Sequence, residues 1–239
     1  MTEQTTQKKY ELLKDDTVEH FGRTLYRIKA LITFGLVGAG QLGGYIETEK
    51  NLDHSGNAWV YDNALVYGDA RVYGNAQVYG NARVFGNAWM CGNARVYAKA
   101  WVYGNARVYG NARVYGDACV YGDAWVFGNA LVYGDACVYG DAWVYGNACV
   151  YGNARVFGNA WVRSLAVISE RKMIFWASNV GSENGTLTVS NGKFGLIVTR
   201  GCFTGTVDEF LSKSKEVHDD KTHHEYKLLI EVAQSRILN

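Results

Sequence analysis

From Gly56 to Arg163 the chain alternates small or apolar positions with polar ones on a period of six, Gly-Asn/Asp-Ala-x-Val-Tyr, in eighteen copies. Alanine fills its slot from Ala58 to Ala160 without exception, and valine fills its own except at Met90. The Asn/Asp slot departs only at Lys99, the Gly slot only at Asp62 and Ala98, and the aromatic slot only at Cys91 and Arg163. Ala-x-Val-Tyr alternates faces as a strand does, with Ala and Val on one side and the variable residue and Tyr on the other. Gly followed by Asn or Asp tolerates positive φ and marks a sharp corner. A strand of about four residues plus a corner is one side of a coil. Three sides close a triangular rung, so the eighteen copies predict six rungs. At roughly 4.8 Å per rung the coil is about 29 Å long. A helix is excluded, because a period of six matches neither 3.6 nor 7 and glycine recurs too often. A narrow triangular bore accepts Val and Ala but not Tyr and Trp together, so Val and Ala are the predicted core and the aromatics lie outside.

Residues eighteen apart stack, which sorts the variable slot into three stripes. The first holds Trp59, Gln77, Arg95, Arg113, Leu131 and Cys149, and the second Leu65, Arg83, Trp101, Cys119, Cys137 and Arg155. The third is made only of Arg and Trp: Arg71, Trp89, Arg107, Trp125, Trp143 and Trp161. Aromatic rings and guanidinium planes can bind bases, a planar ligand or another protein, which makes this third stripe the candidate binding face. The simpler reading is ladder packing of Trp on Trp. Cys119 and Cys137 stand one rung apart, where about 4.8 Å between parallel Cβ atoms is long for a disulfide, so free thiols are expected. The Asn/Asp corners predict ladders of side-chain hydrogen bonds. Calcium at Asp117, Asp123, Asp135 and Asp141 lacks the nonapeptide pattern that would support it.

The flanks are different. Residues 1–55 read as an N-terminal cap of short strands and turns over Lys9 to Asn51, residues 56–163 as the solenoid, and residues 164–239 as a C-terminal α+β module. Gly38-Ala-Gly-Gln-Leu-Gly-Gly44 is followed by Tyr45-Ile-Glu-Thr-Glu rather than by a helix, so it reads as a capping loop and not as a nucleotide site. After Ser164, strands are predicted over Lys172–Ala177, Thr186–Val189 and Phe194–Thr199. Two helices follow over Val207–Asn239, capped near Thr206 or Asp208. His218, His223 and His224 form a tempting cluster, but no second cluster completes a metal set. Cys202 reads as a buried thiol between strand and helix rather than as a nucleophile.

Composition narrows the function. The net charge of +1 argues against a duplex nucleic-acid or membrane-surface partner. Twenty-eight glycines without one proline point to ordered turns rather than to a linker. Five cysteines, without CxxC spacing, and a polar start predict a soluble, unsecreted protein in a reducing compartment. Neither cofactor nor metal is expected.

The repeat resembles the hexapeptide-repeat, left-handed parallel β-helix family, and the left hand is implied by that resemblance. Thr24-Leu-Tyr-Arg-Ile-Lys-Ala30, Gly38 to Glu47, Asn51-Leu-Asp, Gly56-Asn-Ala-Trp-Val and Gly201-Cys-Phe-Thr-Gly-Thr-Val-Asp-Glu-Phe210 resemble hexapeptide-repeat proteins of bacteriophages and prophages. That likeness implies a phage gene product in the host bacterial cytoplasm, and it carries no catalytic residues. The acyltransferases built on this coil use a histidine base and a loop excursion. Gly56–Arg163 has neither, and His54 lies just before it. The expectation is a non-enzymatic binding protein acting on a host component. It would act as an antagonist of a bacterial defence, gripping a host protein or a small nucleotide-like ligand. The alternatives are a structural, virion-associated assembly protein and, further off, an acyltransferase. Exposed aromatic area also predicts a homo-oligomer.

Overall fold

The computed structural model describes residues 7–239. Strands β1 (Tyr10–His20) and β2 (Arg23–Ala30) form a long antiparallel hairpin that continues into β3 (Leu42–Ile46). Nineteen two-residue strands, β4–β22, then follow from Trp59–Val60 to Val167–Ile168. They sort into three parallel sheets, each strand pairing with the one eighteen residues on. The chain closes with the antiparallel sheet β23 (Ile174–Val180), β24 (Gly185–Gly192), β25 (Gly195–Arg200) and β26 (Phe203–Gly205). Helices α1 (Val207–Val217) and α2 (Asp220–Leu238) pack against it.

The protein is therefore mainly β, a parallel β-solenoid with a C-terminal sheet and two helices, as the period of six requires. The coil has seven turns, not six. Tyr45 pairs with Leu65, Leu52 bridges to Val72, and Cys149 pairs with Val167, so sides without the repeat signature extend both ends. Shape and burial recruit them: Leu52 and Ile46 below, Ala166 and Ile168 above, are fully buried in line with the repeat Val and Ala. Every repeat alanine is at 0 % exposure and no repeat valine exceeds 1 %, which places the core where volume demanded it. The regular strands are only two residues long, yet the hydrogen-bond ladder runs beyond them into the corner. Asn105, Arg107 and Tyr109 donate their N–H groups to Gly122, Ala124 and Val126 at 2.8, 2.9 and 3.0 Å. Corner glycines adopt φ near +70°, and a Cβ at Gly104 would lie 2.9 Å from the nitrogen of Gly122 in the next rung.

The terminal rungs leave backbone groups with no further rung to pair with, and buried open groups are costly. At the N-terminal end the hairpin supplies donors to two of the open carbonyls. The Lys9 ammonium, itself buried, reaches the Ala58 carbonyl at 2.9 Å, and the Tyr10 hydroxyl reaches Leu52 at 2.7 Å. At the other end Thr188 of β24 accepts the N–H of Trp161 at 3.0 Å. The edge of Trp176 covers Phe157 with ring centroids 4.4 Å apart. Two expectations fail here. The N-terminal segment is a long hairpin rather than short strands. Trp59, first of its stripe, is fully buried between Tyr10 and Phe34, because β3 approaches so closely at Gly43 that a Cβ there would meet its ring at 2.8 Å.

Candidate functional site: the arginine–tryptophan face

Arg71, Trp89, Arg107, Trp125, Trp143 and Trp161 do lie on one six-stranded sheet, in direct register. Their side chains stack in a continuous column. Arg71 and Arg107 approach the Trp89 ring with guanidinium carbons 6.0 and 5.3 Å from its centroid, and Arg107 also covers Trp125 at 4.6 Å. Trp125, Trp143 and Trp161 follow ring on ring, 4.8 and 5.2 Å apart and within 10° of parallel. The corner aromatics Tyr73, Tyr109 and Phe127 meet Trp89, Trp125 and Trp143 edge-on.

This arrangement decides what the face can do. The column consumes the ring faces, so a visitor meets indole edges and guanidinium rims rather than open stacking platforms. Arg71, Trp89 and Arg107 are exposed, Trp89 at 41 %, whereas Trp125, Trp143 and Trp161 are half-buried. The accessible part is thus the N-terminal half. There the face runs into a groove of about 510 Å³ lined by Glu49, Asp53, His54, Arg71, Tyr73 and Trp89.

The groove brings in three polar residues that sequence reasoning did not assign to the site: Glu49, Asp53 and His54. Only the seventh turn, hidden in the irregular segment around Leu52, could have revealed them. His54 lies under Tyr10, rings 4.3 Å apart, and its Nδ1 accepts the Lys9 backbone N–H at 3.2 Å. That bond places the ring proton of the neutral imidazole on Nε2, which stands 3.6 Å from the Glu49 carboxylate. In that tautomer neither ring nitrogen offers the free lone pair that a general base needs. The Lys8 ammonium, hydrogen-bonded at 2.8 Å, holds the Glu49 carboxyl below its usual range. Asp53 is held low mainly by its bonds from Ser55, against the opposing effect of burial.

The other sequence candidates are scattered. Cys119 and Cys137 stack in register as free thiols. The Cys119 thiol and the nearby Arg155 hold the Cys137 thiol down to about 6, and the neighbouring Cys137 together with burial pushes Cys119 up. The Tyr73 hydroxyl, bonded to Cys91 and partly buried, is pushed up to about 12. Asn57, Asn75, Asn93, Asn111, Asn129 and Asn147 form one ladder of amide bonds up a corner, at 3.1 to 3.2 Å. Asp117 and Asp135 fall on one corner, and Asp123 and Asp141 on another. Among the described residues no group of three or more His, Cys, Asp or Glu converges for a metal. His218 ends α1 as its C-cap, His223 bonds Ser214 at 3.2 Å, and His224 lies on α2. Cys202 is exposed in the turn between β25 and β26 instead of buried, because that turn is only two residues long and projects from the sheet edge.

A family model described as the YdcK beta solenoid repeat matches residues 58–74, 76–92, 90–104, 100–115, 106–122, 112–128 and 148–164. No curated protein matches the chain. The chain is a repeat β-solenoid protein whose coil is similar, over those segments, to the YdcK beta solenoid repeat.

Proposed function

We propose that this is a non-enzymatic binding protein that docks an acidic surface of a partner protein on the N-terminal half of its Arg/Trp face. The observation that carries this reading is the closed column itself. Its ring faces are taken, so it offers a flat, rigid relief of indole edges and guanidiniums, the residue types that dominate protein interfaces. On this face both charged residues of the outward slot are arginines, Arg71 and Arg107. Such a face complements carboxylates. By the phage resemblance, the partner is a host component of a bacterial defence, met in the host cytoplasm.

The groove favours a second reading, a small nucleotide-like ligand, because its size is that of a ligand site and Arg71 and Trp89 line it. Glu49 and Asp53 oppose an anion there, and this ranks the protein partner first. Acyl transfer is disfavoured by the His54 tautomer, which offers a proton where a base must take one. The test is Trp89→Ala with Arg107→Ala, compared with Trp125→Ala with Trp143→Ala, in co-purification from host lysate and in titration against the recovered partner. The first pair is expected to weaken binding at least tenfold, with the circular dichroism unchanged. The half-buried second pair is expected to cost less binding and more stability. Unchanged binding by the first pair refutes the assignment.

A further inference from the structure

The cysteine face carries an arrangement that the docking reading does not use. Cys119 and Cys137 sit in register on adjacent parallel strands, half-buried and free. Each sulfur makes the same contact, 3.8 Å to the carbonyl two residues earlier, Asp117 in one rung and Asp135 in the next. The two side chains therefore share one rotamer, and their sulfurs are related by the rise of the coil, about 4.8 Å.

That spacing selects among the things two thiols can do. A disulfide needs bonded sulfurs and Cβ atoms about 3.5–4.5 Å apart. Both strands are pinned against such closure, since Cys119 donates to Ala136 at 2.9 Å and Cys137 to Ala154 at 3.0 Å. Zinc asks for four ligands, and no third or fourth donor converges here among the described residues. A single soft cation bridging two thiolates in a line is different. On the scale of the zinc–sulfur bond, about 2.3 Å, a linear S–metal–S unit of a soft cation spans about 4.6 Å, of the order of the rise of the coil. Thiolate is a soft donor that suits copper(I), zinc and iron–sulfur clusters, and a site of only two donors leaves copper(I) among them.

We propose that Cys119 and Cys137 form a two-coordinate site for a soft monovalent cation, copper(I) or its surrogate silver(I). Both sulfurs bind as thiolates, any thiol proton passes to water, and no electron is exchanged. The site then carries one net negative charge, and Arg155, one rung further along the same stripe, stands beside it. Access is open from one side, where a shallow depression lined by Lys99, Trp101, Asp117 and Cys119 borders the lower thiol. The coil acts as a fixed ruler, so the selectivity comes from spacing rather than from a closing loop.

The experiment is a titration of the reduced full chain with copper(I) without oxygen, in competition with a coloured chelator, and X-ray absorption of the loaded protein. One equivalent held against the chelator, with two sulfur neighbours, is expected. Cys119→Ser and Cys137→Ser should each release it, while Cys91→Ser, Cys149→Ser and Cys202→Ser retain it, all with unchanged circular dichroism. Retention by Cys137→Ser overturns the proposal. So does rapid formation of a Cys119–Cys137 disulfide in the folded protein under mild oxidant, read by peptide mass, because it shows that the rungs do not hold the sulfurs apart.

Discussion

At residue scale the corners set the terms. Ala98 stands where the pattern has glycine, and its backbone keeps the left-handed corner at φ +61°, as Asp62 does at +53°. An L-residue there costs roughly 1–2 kcal/mol, which the neighbouring rungs impose on it. Ala98→Gly should therefore stabilise the coil by about 1 kcal/mol, and Gly104→Ala should cost at least as much because its Cβ also meets the next rung. Thermal melts of the two variants against the parent check both signs. Lys9 is the counterpart at the end of the coil. Lys9→Met leaves the Ala58 carbonyl buried without its donor and should cost about 1–3 kcal/mol, with early loss of amide protection in the first turn by hydrogen exchange. Neither lysine nor tyrosine in the segment before the repeat advertises this role. It depends on which carbonyls the first turn of the coil leaves open, a fact that exists only once the strands are stacked.

At the scale of the element, the outward ladders explain both a stability and a pH dependence. Tyr79, Tyr97, Tyr115 and Tyr133 stack 4.7–4.8 Å apart in one ladder, and Tyr103, Tyr121 and Tyr139 4.9 Å apart in another. Burial is the main cause that pushes the hydroxyls of Tyr79, Tyr103, Tyr115 and Tyr121 above their ordinary 10.0. A raised tyrosine means that the folded coil binds more protons than the unfolded chain once the pH passes 10. Its contribution is complete below pH 10 and is lost as the pH climbs through the higher folded values. The melting temperature should fall above pH 10, and replacing Tyr103, Tyr121 and Tyr139 by Phe should blunt that fall. An unblunted fall refutes the ladder's part in it. The stripes and ladders were legible because a period of six leaves no freedom in what stacks on what. What the stripe presents was not legible. Open ring faces and closed ones have the same sequence, and only the 4.8 Å Trp125–Trp143 stack distinguishes them.

Over the whole molecule, charge divides the coil along its length. Arg71, Arg83, Arg95, Lys99, Arg107 and Arg113 precede Asp117, Asp123, Asp135 and Asp141, and Arg155 is the one cation among the later repeats up to Asn159. Docking on the N-terminal half should therefore weaken as salt rises, chiefly through a slower on-rate, measurable by surface binding at two ionic strengths. The unit of construction is equally testable. Removing residues 104–121 joins Tyr103 to Gly122 in phase, and the shortened chain should stay folded and scatter X-rays as a coil about 4.8 Å shorter. Removing one residue fewer puts Val and Tyr on exchanged faces and should abolish folding. The limits of the coil were misjudged by two sides of a rung at the N-terminal end and one at the C-terminal end, because Ile46, Leu52 and Ile168 fill the bore without the repeat's letters. The C-terminal sheet and helices were legible in outline, with Thr206 capping α1 and bonding reciprocally with Glu209.

The near-identity of the rungs has one more consequence. An interior copy carries almost no record of its own position: Val126 is offered the same pocket by Val108 as by any other repeat valine. A chain that skips eighteen residues while coiling meets the same hydrogen bonds and the same bore, with only a loop to close. The information that settles the count lies in the departures from the pattern, Met90, Cys91, Ala98 and Lys99, and above all in the two ends. Lys9 and Tyr10 fit open carbonyls of the first turn, Thr188 fits an open N–H of the last, and everything between them is numbered from these two points.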